Sequence, residues 1–236
     1  MVNLTEKVKN LALFEGAAIV GVAPVTALSK SPKNQHPQNL LPSTKNLISI
    51  AMKINRTTIL NLPKTRTEYR MLYDTTNAKL NSIAMKTAQF LEEQGYEAIP
   101  IPASRPYNQQ KLTADISHKH VAAAAGLGKF GINNLILTPE HGPYTRFPTV
   151  LTNASLKPDK TLNKNPCLGD KCMQCVKICP VGALENPKNN PEEGWKINKK
   201  KCYQYIHETL DGEVCGLCIK ACPIGSKNRH KSESKT

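Results

Sequence analysis

The chain has 236 residues, with 32 Lys and Arg against 18 Asp and Glu, a formal charge of +14. Hydrophobic residues make up 39% and charged residues 21%, which excludes a wholly disordered chain, and no apolar run approaches the roughly 20 residues of a membrane helix. The positive excess fits plain solubility, a polyanionic partner such as RNA, or an acidic electron donor.

The opening residues, MVNLTEKVKN, hold no apolar signal core and no twin arginine, so a cytoplasmic setting is expected. Residues 3–14 have helical spacing through Leu4, Val8 and Leu11. AAIVGVA (17–23) reads as a buried strand, 29–43 as a proline-rich loop, and NLISIAMKI (46–54) as a second strand. Residues 67–94 predict a long helix. Leu80, Ile83, Ala84, Thr87 and Leu91 fall on one face of it, and Gly95 caps its end. YEAIPIP (96–102) is a strand stopped by prolines, followed by a loop with Arg105 and Tyr107 as binding candidates. A short alanine-rich helix, 118–125, precedes apolar strands at 135–138 and 147–152. Strands separated by helices predict an α/β (α+β) body with a mixed sheet over residues 1–155. The polar stretch 155–165 reads as a connection, and 156–236 as a separate module ending in the basic tail SKNRHKSESKT.

That module holds all eight cysteines. The first set is Cys167-x4-Cys172-x2-Cys175-x3-Cys179-Pro180, and the second is Cys202-x12-Cys215-x2-Cys218-x3-Cys222-Pro223. CMQCVKICPVG and CGLCIKACPIG repeat one another. A cubane cluster needs one thiolate at each of its four iron corners. A C-x2-C-x3 loop wraps one cube, and the cysteine before the proline ligates the other. The spacing therefore predicts two [4Fe-4S] clusters in a ferredoxin-like fold. One takes Cys167, Cys172, Cys175 and Cys222; the other takes Cys202, Cys215, Cys218 and Cys179. Disulfides are disfavoured without a secretion signal. Two zinc sites are chemically possible, but zinc ribbons do not require C-x3-C-P twice. Paired clusters move single electrons, so the larger body is expected to hold what those electrons reach.

Within the body, ADISHKHVAAAAGLGKFGINNLIL (114–137) is the most distinctive segment. Gly126, Gly128 and Gly131 allow close backbone approach to a large ligand, or simply form a helix cap and turn. On one helix face, Asp115 and His118 would make an acid–base pair, with an N-cap role for Asp115 as the alternative. Tyr73, on the long helix, is a phenolic proton donor or an amphipathic packing residue beside a snorkelling Arg70. Arg146 either binds an anionic cofactor group or closes a salt bridge.

The order of these motifs resembles the epoxyqueuosine reductase family, relatives of the corrinoid-dependent reductive dehalogenases. AGLGKFGINNLIL (125–137), the cysteine motifs and INKKKCYQYI (197–206) carry the resemblance, and EYRMLYDTTNAKL (68–80) matches more loosely. It covers roughly residues 45–225 and implies a short form without the C-terminal helical repeats. It further implies an oxidoreductase whose body binds cobalamin against Gly126, Gly128, Gly131 and Asn133, with Asp115 as the acid. A ferredoxin or flavodoxin would be the donor, and tRNA or another anionic molecule the substrate. Lys129 and Ile132 stand where the family has Trp and Lys, and Cys167-x4-Cys172 replaces an x2 spacing. Two other readings stay open: a non-catalytic electron-transfer protein, and a flavin-dependent reductase.

Overall fold

The computed structural model describes residues 3–104, 108, 110–185, 188–190 and 194–225. Helix α1 (Leu4–Phe14) opens on Asn3, whose side chain accepts from the Glu6 N–H, an N-cap. Strands β1 (Ile19–Pro24) and β2 (Asn46–Lys53) pair antiparallel across the 3-10 turns of the intervening loop. A short α2 (Arg56–Leu60) precedes the long α3 (Arg66–Glu93). Gly95 follows α3 at φ +83, a left-handed position that glycine takes without penalty. Strand β3 (Ala98–Ile101), helix α4 (His118–Ala124) and the hairpin of β4 (Lys129–Phe130) with β5 (Ile136–Leu137) come next. Strands β6 (Thr145–Arg146) and β7 (Thr149–Thr152) then complete the sheet.

The α/β (α+β) body forms, but its sheet is antiparallel at every pairing among the described residues, not mixed. The order is β1-β2-β7-β3, with β6 also on β2. Helix α3 does carry the chain from β2 to β3 in the same direction, as the alternation of elements suggested. The last strand, β7, then inserts between these two and runs against both. Pro148 lies between β6 and β7, where it offers no N–H to the ladder, and the run splits there.

Both faces of the sheet are covered, which is why β2 reads as a nearly unbroken apolar run. Ile48 and Ile50 join Val22 and Val150 under α1 and α3, where Leu80, Ile83, Ala84 and Leu91 are buried. Leu47, Ala51 and Leu151 face the other way, onto Val121, Ala122 and Leu127. The stretch read as a connection is docked rather than free. Asp159 accepts from Lys9 Nζ at 2.6 Å and from the Val22 N–H at 2.8 Å, and its own N–H donates to Val22 O at 2.8 Å. This closes the exposed edge of β1.

A third core joins the cysteine-bearing segment to the body. Ile54, Ile59, Leu62, Tyr69 and Tyr144 pack with Ile219, flanked by Val214, Leu217 and Cys218. At about 25 cal/mol per Å2 of apolar surface, burying Ile219 alone contributes about 2 kcal/mol to that seam.

Candidate iron–sulfur centre

The sequence repeat is a structural repeat. Cys172 is followed by Met173 at φ +49, which opens α5 (Gln174–Lys177). Cys215 is followed by Gly216 at φ +69, which opens α7 (Leu217–Lys220). Each left-handed residue turns the chain sharply, so that the two cysteines of a C-x2-C pair face one point. The downstream turns repeat as well: Gly182 at φ +58 and Gly225 at φ +74 follow Cys179-Pro180 and Cys222-Pro223. The second copy places glycine where the first holds Met173 at a conformation costly for a side chain.

None of the eight cysteines is in a disulfide. Cys167, Cys172, Cys175 and Cys222 line one cleft, with Ile132, Asn133 and Leu137 of the body among its other lining residues. Burial raises the Cys222 thiol to about 12, helped by the charges of Cys167, Cys175 and Cys172. Cys202, on α6 (Lys199–Gln204), is raised by burial and by Cys215 and Cys179. Cys218 is half-buried, and burial raises its thiol far, with Cys215 and Cys202 its strongest thiol neighbours. Thiols held this high stay protonated in neutral water unless a cationic core takes their protons' place. The donor set and its grouping therefore fit two four-iron clusters. Among the described residues no three His, Cys, Asp or Glu side chains are arranged to hold a single metal ion.

The body grips the second motif closely. Arg66 donates to Val214 O at 3.0 Å and Arg70 to Gly212 O at 2.8 Å. Arg70, read from sequence as a snorkelling side chain, thus holds the loop before Cys215 and also pairs with Asp74 at 2.8 Å. Gly216 lies against the Tyr69 ring, 2.5 Å from where its Cβ would be. Lys220 Nζ donates to Leu62 O. Asn133 Nδ2 reaches Cys218 O at 3.5 Å, and its Oδ1 accepts from the Leu135 N–H.

The structure separates the sequence-nominated acids. Asp115 is exposed on a bend, one turn short of α4, so it shares no helix face with His118. Nor is it the N-cap, which is Ser117. His118 is sealed: Nε2 faces Pro102 O at 3.0 Å and Nδ1 faces Thr149 Oγ1 at 2.8 Å. A carbonyl only accepts, so Nε2 carries the proton and Nδ1 accepts from Thr149. Burial, and then Arg146, lower its pKa to about 4. The unfolded chain takes a proton near pH 6.5 and the folded chain does not, so stability falls as pH drops through that window. At pH 5.5 the loss is about 1 kcal/mol. Urea unfolding at pH 7 and pH 5.5 checks this, and His118→Gln removes that part of the pH dependence.

Tyr73 and Arg146 come together. The guanidinium carbon lies 3.7 Å from the Tyr73 ring centroid, while Arg146 Nε donates to Asn77 Oδ1 at 2.7 Å and an NH2 donates to Ser104 Oγ at 2.6 Å. Burial would raise the Tyr73 phenol. The Arg146 charge and hydrogen bonding by Ser104, Arg146 and Asn77 outweigh it and leave the pKa below its ordinary value. Neither a salt bridge nor a simple packing contact describes this pair. Arg105 and Tyr107 lie outside the described residues.

The three glycines serve the chain itself. A Cβ on Gly126 would meet Lys160 O at 2.3 Å, one on Gly128 would meet Ile136 Cγ2 at 2.5 Å, and one on Gly131 would meet Leu137 Cδ1 at 2.8 Å. The close approach expected for a ligand is made instead by residues 136–137 and 160.

Residues 167–226 match the 4Fe-4S dicluster domain family. An epoxyqueuosine reductase of Bacillus cereus is 30% identical over 180 residues, which is 75% of this chain and 44% of that protein. Over that stretch this chain is similar to the epoxyqueuosine reductases. A solved epoxyqueuosine reductase bearing a tRNA-Tyr epoxyqueuosine-modified stem loop superposes with a TM-score of 0.64 at 22% identity, covering 94% of this chain and 65% of that one. A reductive dehalogenase, described as suggesting a mechanism for B12-dependent dehalogenation, superposes with a TM-score of 0.69 at 19% identity, covering 94% and 32%. The chain thus spans less than half the length of its Bacillus cereus relative.

Against this epoxyqueuosine reductase-like fold, sequence reading missed Lys119, Arg66, Asn77 and Ser104. A lysine between two histidines on an otherwise apolar helix was the one readable signal, since a buried face that admits a cation needs a reason. Asn77 and Ser104 carry no motif and meet Arg146 only through the fold.

Proposed function

We propose that this chain is an iron–sulfur oxidoreductase that passes single electrons through two [4Fe-4S] clusters to an acceptor on its N-terminal body, for reductive chemistry of the epoxyqueuosine reductase type. One observation carries the reading: Cys167, Cys172, Cys175 and Cys222 line one cleft, and Cys202 lies under the influence of Cys215 and Cys179, both groups on a segment that shares an apolar core with the body. The clusters supply one-electron transfer at low potential when bound. Cys167, Cys172, Cys175 and Cys222 would hold one, and Cys202, Cys215, Cys218 and Cys179 the other.

A corrinoid is the acceptor that the B12-dependent relative supports; a flavin is the other cofactor class. The residues nominated to hold a corrinoid are already engaged: the glycines by their own chain, Asn133 by Leu135 and Cys218, and Arg146 by Tyr73, Asn77 and Ser104. They do not form an open cradle for that group. This engagement favours a second reading, an electron-transfer protein that reduces the corrinoid or flavin of a partner. In the catalytic reading Tyr73 is the proton donor, since a lowered phenol beside a fixed cation releases its proton readily. An anionic substrate, with tRNA foremost, follows from the +14 charge and from the stem-loop complex of the relative. A ferredoxin or flavodoxin in the cytoplasm would be the donor.

Cofactor analysis of anaerobically purified protein tests the reading. Eight irons per chain with a corrinoid band support the catalytic form, and eight irons alone support the electron-transfer form. A flavin spectrum after denaturation replaces the corrinoid with a flavin. Zinc in place of iron overturns both forms. No helix is long and apolar enough to cross a membrane among the described residues.

A further inference from the structure

Lys119 is a half-buried cation. Its ammonium donates to Asn134 O at 2.8 Å and lies 5.8 Å from the Phe130 ring centroid. Among the described residues no Asp or Glu forms an ion pair with it. Burial lowers its pKa to about 8. An ammonium withdrawn from water costs several kcal/mol unless negative charge lies near. The groups that would offset it as cluster thiolates are Cys218 and Cys202, both of the second set, while Lys199 on α6 opposes them.

The placement is built into the fold. Asn133 reaches the backbone of Cys218, and the next residue, Asn134, turns at φ +56 and offers its carbonyl to Lys119. One turn therefore ties the ammonium to the second cysteine set. Apart from the cysteines, the cleft of the first set is lined among the described residues by Ile132, Asn133, Leu137, Leu168 and other uncharged residues.

We infer that Lys119 is the counter-charge of the second cluster, holding its potential above that of the first, so that electrons run from the first cluster to the second. This rests on the two-cluster reading proposed above. Reduction makes a cluster more negative by one charge, and a fixed cation in a low-dielectric interior stabilises the more negative state. One electron leaves the first cluster, whose core goes from 1+ to 2+, and enters the second, whose core goes from 2+ to 1+. No bond or proton changes, and a low-potential one-electron carrier protein reloads the first. Lys119 acts through the cluster and is a positioning charge, not a catalytic residue.

Holoprotein purified anaerobically as wild type, Lys119→Gln and Lys119→Arg tests this, with iron content and both potentials read by EPR-monitored redox titration. Lys119→Gln is expected to keep its iron and shift one potential to more negative values, with the other unmoved; Lys119→Arg restores the shifted one. Unchanged potentials in Lys119→Gln at full iron overturn the inference. So does loss of the same cluster from both variants, which assigns Lys119 to packing. Iron missing from the wild type sinks the two-cluster reading beneath it, a separate outcome.

Discussion

Cys222→Ala removes the cluster of the first motif and spares that of its own. The expected protein keeps about half its iron, held by Cys202, Cys215, Cys218 and Cys179. The geometry behind this is the shared cleft: Cys222 faces Cys167, Cys172 and Cys175, although its C-x2-C partners are Cys215 and Cys218. The crossing arises because each left-handed turn aims a C-x2-C pair at one point, while the helical turn after it carries the third cysteine to the opposite side. The proline after that cysteine then keeps the turn from continuing as helix. Spectra of single variants check the assignment. Cys222→Ala should match Cys167→Ala, and Cys179→Ala should match Cys202→Ala, in both iron content and the EPR signal that survives. Agreement of Cys222→Ala with Cys215→Ala instead would show that each motif fills its own cube.

Much of this architecture was legible because its causes are local. The stripe Leu80, Ile83, Ala84, Thr87 and Leu91 is buried as its spacing required. The apolar runs at 46–54 and 147–152 became the two central strands of the sheet. The pairing of strands was not legible, because β7 finds its place between β2 and β3 only after α3 has already joined them. The glycine segment was read for the right property and the wrong neighbour. Glycine tells that something approaches closely, and only the fold tells that the visitor is Lys160 or Ile136. Asp115 and His118 failed as a pair for a similar reason: the helix begins at His118, and the strand β7 supplies the Thr149 that occupies its ring. Tyr73 and Arg146 stand 73 positions apart with no local signal linking them, and the fold brings them face to face.

Gly142→Ala is expected to lose the first cluster and to lower the melting temperature by about 10 °C, on a cost of about 3 kcal/mol or more. An added Cβ would lie 2.0 Å from Ile224 O and 2.5 Å from Ile224 C, at a φ of +53 that already disfavours a side chain. Gly225 meets the same seam from the other side, where its Cβ would stand 2.4 Å from His141 C and O. Both obstacles are backbone, so no side chain can swing aside. The turn cannot retreat either, since Thr138 and Gly142 exchange hydrogen bonds at 3.0 and 2.9 Å. The relief available is movement of the 222–225 turn, which carries Cys222 out of the cleft it shares with Cys167, Cys172 and Cys175. Gly95→Ala separates clash from backbone strain. Gly95 sits at φ +83 with nothing within 4 Å of its Cβ position, so its substitution should cost about 1–2 kcal/mol and leave all the iron in place. Equal melting temperatures and equal iron in the two variants would mean that the seam between Gly142 and Gly225 does not hold Cys222 in position.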